Sequence, residues 1–288
     1  MEDLRRIIWI ASFPKSGNTW VRSFLARALA PPGTEIDINS LARFTTADVR
    51  QDFFDKAAGQ APFIAQDIDH WLKVRPKALA LIARSKPGLH FVKTHSRIQA
   101  MKGVPLIPPQ VTAAAIYLIR NPFDVAQSYS RHLGFDMDQT IDMMLNREAL
   151  NASPNRIFEV IGRWDAHIES WVGAPGLQRH VMRYEDMAAD PQRTFKALLA
   201  FLKAPVADAQ FSTALAATEF GALKAQEQAA GFRERPPHME AFFAKGRAGS
   251  WREELTAPQI RRLREGFLPA IERWYPELLE ETAEAAKV

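Results

Sequence analysis

Ile7-Ile8-Trp9-Ile10-Ala11-Ser12-Phe13 runs directly into Pro14-Lys15-Ser16-Gly17-Asn18-Thr19-Trp20. The first seven residues form an apolar, β-branched run that stops at a proline, the pattern of a buried strand. Beyond the turn, Trp20, Val21, Phe24, Leu25, Ala28 and Leu29 recur at helical spacing, Asn18 or Thr19 can start the helix, and Pro31-Pro32-Gly33 ends it. Strand, short Lys/Ser/Gly turn and helix follow in that order. Such a turn aims unpaired backbone N–H groups and the positive end of a helix dipole at one point, which suits a phosphate. Lys15 adds a full charge there, and Ser16, Asn18 and Thr19 add hydrogen-bonding side chains. The turn is not a Walker A loop, because Pro14 stands where that motif needs a glycine before the lysine. A reading as an ordinary ATPase or GTPase is weakened accordingly.

Working outward, the next strand signal is His90-Phe91-Val92-Lys93, which ends in Thr94-His95. A proline-bearing loop, residues 96 to 112, leads to the continuous apolar run Ala113 to Ile119, fit for a central parallel strand. Arg120-Asn121-Pro122 then opens a helix that carries Ser128 two turns along. Gln178 to Arg183 is a fourth strand, followed by Tyr184-Glu185-Asp186-Met187 and a helix from Pro191 to Leu202. Strands alternate with helices, the pattern of an α/β fold, and in such sheets ligands lie at the carboxyl ends of strands. Lys15, Lys93, His95 and Arg120 all fall at such ends. An arginine fork and a serine hydroxyl are suitable donors to a phosphate monoester.

The remaining stretches give coarser expectations. Residues 46 to 58 and 70 to 84 read as helices, the second interrupted at Pro76; residues 133 to 154 read as a mobile cover. Ile157 to Val172 reads as one long amphipathic helix, residues 227 to 245 as a lid, and Ala257 to Glu280 as a terminal helical region. No internal repeat or low-complexity linker interrupts the chain, which favours a single domain over residues 1 to 288.

Composition narrows the function classes. Of 288 residues, 47% are hydrophobic and 24% charged, as in an ordinary globule. A net charge of +4 without any Lys/Arg block points to a small anionic ligand and away from a nucleic-acid track. The absence of cysteine rules out a disulfide framework, a thiolate zinc site and a cysteine nucleophile. No apolar run reaches the length of a membrane span and no signal-peptide core precedes Ile7, so the expected location is the cytoplasm.

The Pro-Lys-Ser-Gly-Asn-Thr-Trp turn after an apolar strand resembles the 5′-phosphosulfate loop of sulfotransferases that use 3′-phosphoadenosine 5′-phosphosulfate (PAPS), the cytosolic small-molecule type in particular. The resemblance continues in five further segments in the family's order. Lys93-Thr94-His95 resembles the Lys-x-His segment whose histidine is the general base. Arg120 with Ser128 resembles the 3′-phosphate-binding region, and Tyr184 the tyrosine that reaches the adenine. Thr218-Glu219-Phe220 resembles a Thr-x-Phe segment whose threonine meets a ribose or phosphate group and whose phenylalanine packs on adenine. Lys245-Gly246-Arg247-Ala248-Gly249-Ser250-Trp251 resembles the Arg-Lys-Gly-x-x-Gly-Asp-Trp loop, with Ala244 in place of the first arginine and Ser250 in place of the aspartate. Arg247 is the candidate substitute for the missing arginine.

The resemblance implies a P-loop-like sulfotransferase fold, a central parallel sheet flanked by helices. It implies in-line transfer of a sulfuryl group from PAPS to a hydroxyl or amine of a small-molecule acceptor, leaving adenosine 3′,5′-bisphosphate. The expected catalytic residues are His95 as base with Lys15 and Lys93 stabilising charge. The expected donor-binding residues are Lys15, Ser16, Gly17, Asn18, Thr19, Trp20, Arg120, Ser128, Tyr184, Thr218, Phe220, Lys245, Gly246 and Arg247. No metal is required by this scheme, since lysines take the charge-balancing part. Phe53, Phe54, Trp71, Phe242 and Phe243 with Met101, Met143 and Met144 are the candidate acceptor-pocket residues. No oligomeric state is assigned, and the family's dimerisation motif is matched poorly, with Arg261 at its acidic end. The rival readings are a nucleotide-dependent kinase or NTPase, and a non-catalytic nucleotide-binding protein on the same fold.

Overall fold

The computed structural model describes residues 5–31, 33–59, 67–151 and 157–287. In chain order these form β1 (Ile7–Ser12), α1 (Asn18–Ala28), α2 (Leu41–Phe44), β2 (Thr46–Ala47), α3 (Gln51–Ala58), α4 (Ile68–Arg84), β3 (His90–Thr94), β4 (Ala100–Met101), β5 (Val104–Pro105) and β6 (Thr112–Ile119). There follow α5 (Pro122–Leu133), α6 (Met137–Leu145), β7 (Leu150–Asn151), β8 (Glu159–Val160), α7 (Trp164–Val172), β9 (Arg179–Arg183), α8 (Tyr184–Ala189), α9 (Pro191–Phe201), α10 (Asp208–Ala216), α11 (Phe220–Ala230), α12 (Ala257–Trp274) and α13 (Leu279–Ala285). The residues fall into two compact units: the first is residues 1–13, 42–118 and 147–181, the second residues 14–41, 119–146 and 182–288.

The first unit is built on a five-stranded sheet of order β2-β3-β1-β6-β9, whose last two strands end in residues of the second unit. β1 runs parallel to both β3 and β6, with Ile10 beside Lys93 and Ile116, and Ala11 beside Thr94 and Tyr117. All six residues of β1 are buried, which explains its unbroken apolar run; each fully buried isoleucine contributes about 1.5–3 kcal/mol. β1 stands between the strands that follow it early in the chain and those that follow later. The carboxyl end of β1 is therefore a topological switch point, the usual place for a ligand in such sheets.

Helix α7 lies on β6: Tyr117 stacks on His167 at 5.7 Å and on Trp171 at 5.8 Å. Helix α4 lies near β3, where His90 Nε2 donates to the Ile82 carbonyl at 3.0 Å. The second unit is mainly helical. Phe24 of α1 meets Phe195 of α9 at 4.2 Å and Phe211 of α10 at 5.7 Å.

The strands and helices near the motifs lie where the sequence puts them, but four expectations need correction. Residues 46 to 58 are not one helix: Thr46 and Ala47 pair in parallel with Val92 and Lys93, and α3 starts only at Gln51. A two-residue edge strand is too short to show alternation. Helix α4 is not interrupted at Pro76, which sits inside a 17-residue helix begun by the Asp67 cap. Of the expected mobile cover, residues 137 to 145 form α6, closed at its start by a capping box from Asp136 and Gln139, while residues 152 to 154 lie outside the described residues. The long helix from Ile157 begins only at Trp164. Residues before it run extended, with β8 antiparallel to β7 and with Ile161 N and Gly162 N both donating to the Ala149 carbonyl (3.0 and 2.9 Å).

Candidate active site

All the expected donor-binding residues lie in the second unit, and His95 and Lys93 lie in the first. In the second unit the turn before α1 is tight. Lys15 holds a left-handed backbone, φ 68°, a conformation that costs a non-glycine residue energy and that marks functional turns. Gly17 is the left-handed N-cap, and its carbonyl accepts from Trp20 N at 3.0 Å and Val21 N at 3.2 Å. Asn18 is the first helical residue, as the sequence allows, and glycine takes the cap before it. Lys15 Nζ stands 4.0 Å from the Phe242 ring centroid, a cation–π contact.

Arg120 gathers the motifs. Its Nη1 donates to the Lys15 carbonyl at 3.3 Å, its Nη2 to the Arg247 carbonyl at 3.2 Å, and its guanidinium lies 4.0 Å from the Tyr184 ring centroid. Tyr184 in turn meets Trp20 edge-on at 5.8 Å. Burial raises the pKa of the Tyr184 hydroxyl, so it stays a neutral donor. Four segments far apart in sequence are thus joined at one guanidinium: the turn from Lys15 to Trp20, the start of α5, Tyr184 and the 245–251 loop. Ser128 is half-buried on α5, two turns from its start.

The 245–251 loop is held from below by a residue the sequence reading passed over. Asp124 is fully buried and accepts from Gly249 N (2.7 Å), Trp251 N (3.1 Å) and Asn121 Nδ2 (2.9 Å). Gln127 adds a bond from Nε2 to the Ser250 carbonyl at 3.1 Å. The spacing Arg-x-x-x-Asp, one helical turn, was the available signal. Glu185 is the second missed residue: its carboxylate accepts from Asn121 N (3.0 Å) and Nδ2 (2.7 Å), and burial raises its pKa.

Other expected residues are placed differently from the family reading. A Cβ on Gly246 would lie 2.0 Å from Phe220 Cδ2, so the close approach that requires glycine is to the Phe220 ring. Thr218 is fully buried, and its hydroxyl hydrogen is directed to the carbonyls of Ala214 (2.9 Å) and Leu215 (3.1 Å). Lys245 pairs with Glu254 and with Glu253 at 3.3 Å, which raises its pKa, and Arg247 pairs with Glu253. These pairs are partly exposed and weak, so an incoming phosphate dianion can replace them. Among the candidate acceptor residues, Phe54, Trp71 and Met144 are fully buried core.

In the first unit, His95 stands just past β3. Its Nδ1 lies 2.9 Å from the Ser12 carbonyl and 3.2 Å from Ser12 Oγ. A carbonyl only accepts, so Nδ1 carries the proton and the lone pair of the neutral ring sits on Nε2, the form a general base needs. Its backbone N–H donates to Glu159 Oε1 at 3.1 Å, and its carbonyl accepts from His167 Nε2 at 3.0 Å. Behind Thr94 lies a fully buried ion pair, Asp48 with Arg75 at 2.7 Å, and burial raises the Asp48 pKa.

The donor set suits a nucleotide carrying several anionic groups. Ser16 Oγ and Trp20 Nε1 are buried polar atoms without a hydrogen-bond partner in the structure, and both belong to the Lys15 turn or the helix it feeds. An anion and its hydration shell would satisfy such groups.

Comparison with known proteins shows the family. The sulfotransferase domain model matches residues 5–279, and the chain belongs to that family and is a sulfotransferase. It is 26% identical over 264 residues to cytosolic sulfotransferase 1 of Arabidopsis thaliana, covering 86% of this chain and 73% of that one. It is 24% identical over 261 residues to sulfotransferase 2B1 of Homo sapiens, covering 88% and 62%. In fold it is similar to a mouse sulfotransferase complexed with PAP, with a TM-score of 0.61 and 19% identity over 98% of this chain and 90% of that one. It is also similar to retinol dehydratase in complex with androsterone and the inactive cofactor PAP, with a TM-score of 0.64 and 18% identity over 92% and 80%.

Proposed function

We propose that this sulfotransferase uses PAPS as donor and a small molecule bearing a hydroxyl or amine as acceptor, acting in the cytoplasm without need of a metal ion. The observation that carries the reading is the convergence on Arg120 of the Lys15 turn, Tyr184 and the 245–251 loop. Each of these segments resembles a different part of one nucleotide site, and a single side chain joins them. Bound there, PAPS supplies the activated sulfuryl group.

The chain's own residues do the rest. The N–H groups of the turn from Ser16 to Thr19, with Lys15, take the 5′ end, while Arg120, Ser128 and the Lys245-Gly246-Arg247 loop take the 3′-phosphate. Trp20, Tyr184 and Phe220 surround the adenine, and Thr218, through its lone pairs, accepts from the ribose. His95 takes the acceptor proton at Nε2 as the new bond forms, and Nδ1–H bonded to Ser12 stabilises the imidazolium that results. Lys15 and Lys93 balance the charge that develops on the transferring group and on the departing phosphate oxygen. The androsterone held by retinol dehydratase and the cytosolic names of the plant relatives support a small-molecule acceptor and a cytoplasmic site.

Calorimetry and a labelled-donor assay test this together. The protein should bind adenosine 3′,5′-bisphosphate and prefer it to ATP. His95→Ala should keep that affinity and lose about a hundredfold or more in turnover. A preference for ATP with Mg²⁺ would make the protein a kinase or NTPase; bisphosphate binding without transfer to any acceptor would make it a binding protein. Undiminished turnover in His95→Ala would remove the base.

A further inference from the structure

His95 lies one residue beyond β3, where the ladder has ended, so its backbone groups must find partners outside the sheet. Side chains take both: Glu159 accepts the N–H and His167 Nε2 donates to the carbonyl. Because that carbonyl only accepts, His167 carries its proton on Nε2, and its Nδ1 is the acceptor for the Tyr117 hydroxyl at 2.7 Å. The ring of His167 is fully buried, stacked on Tyr117 at 21° and edge-on to Phe13 at 5.7 Å. Burial lowers its pKa to about 3, so it is neutral at working pH, and both its nitrogens are committed. His167 is thus unsuited to accept a proton in turnover. The chain of bonds runs from the Tyr117 hydroxyl through His167 to the main chain of the residue that does.

We propose that Tyr117 and His167 are positioning residues for sulfuryl transfer: they fix the His95 main chain, and with it the direction of the imidazole, before the acceptor arrives. The inference rests on His95 being the base. Its physical content is preorganisation, since a base displaced by about 1 Å can lose on the order of a hundredfold in rate. Hydrogen bonds from rigid, buried rings hold a position more narrowly than a loop does.

The test compares kcat, donor KM and bisphosphate affinity for His167→Leu, His167→Gln and Tyr117→Phe, each alone and combined with His95→Ala. His167→Leu should lower kcat about tenfold or more while donor KM and bisphosphate affinity stay within about twofold. His167→Gln, which keeps a donor and an acceptor, should recover most of that loss, and Tyr117→Phe should fall between the two. In the His95→Ala background none of the three should lower residual turnover further, because they act through a group already removed. A kcat unchanged by His167→Leu, or a loss that adds in full to that of His95→Ala, overturns the proposal. If His167→Leu does not fold, the same criteria apply to Tyr117→Phe, which removes one hydroxyl. Full turnover in His95→Ala alone removes the base and the relay together, whereas additivity removes the relay and leaves the base.

Discussion

A single guanidinium serves the candidate donor site in three ways at once. Arg120 is 8% exposed, donates to the carbonyls of Lys15 and Arg247, and stands 4.0 Å from the Tyr184 ring centroid. A planar fork can do this, and a lysine ammonium cannot: it is a point charge that would reach one carbonyl and leave the other unpaired. Arg120→Lys should therefore weaken bisphosphate binding by about tenfold or more, as measured by calorimetry. An affinity equal to that of the parent would show that charge alone suffices there. Arg120 could be found from sequence because Arg-Asn-Pro at the end of an apolar run marks a strand end and a helix start. Its partners could not, since two of them are backbone carbonyls, which no residue type announces.

At the scale of elements, the first turn of α5 organises the 245–251 loop. The two oxygens of Asp124 accept from Gly249 N, Trp251 N, Asn121 Nδ2 and, at 3.4 Å, Ser250 Oγ. Every neighbour is a donor, so an amide in its place sets N–H against N–H. Asp124→Asn should cost about 2–3 kcal/mol in urea unfolding and should weaken bisphosphate binding at the same time. Loss of stability with unchanged binding would separate the loop from the site. β1 and β6 were legible because deep burial leaves continuous apolar runs, and the start of α5 because proline and an Asn cap announce it. Thr46-Ala47 and the extended run before Trp164 were not. Their conformation is set by partners elsewhere, Val92 with Lys93 and Ala149, and local periodicity carries no trace of them. His167 was hidden for another reason: on the Trp164, Ile168 and Trp171 face it occupies an apolar position, and only the Tyr117 hydroxyl and the His95 carbonyl make it a polar one.

At the scale of the whole molecule, that same buried imidazole links folding to pH. His167 titrates near 3 in the folded protein because of burial, against 6.5 for the free group. Between those values the unfolded chain binds a proton that the folded one refuses, so this contribution to stability is complete above pH 6.5 and is lost as pH falls toward 3. From pH 7 to pH 5 the loss should be about 2 kcal/mol. Asp48 and Glu185, whose carboxyls burial pushes up, act in the opposite sense, so the comparison that isolates His167 is with His167→Gln. The pH dependence of urea unfolding should flatten by that amount in the variant; identical slopes would show that the ring is not held neutral.

The polypeptide passes between its two units after residues 13, 41, 118, 146 and 181. Two of these passages come directly beyond β1 and one residue short of the end of β6, the strands that lead into the Lys15 turn and Arg120. We take this interlacing as the sign of one folding domain, and it bears on how such a protein can be rebuilt or inherited. No single splice point exchanges either unit whole, because each unit is made of three separate stretches of chain. Replacing one unit entire with that of a relative would demand five coordinated junctions, so change at individual side chains is the easier route by which such a chain diverges.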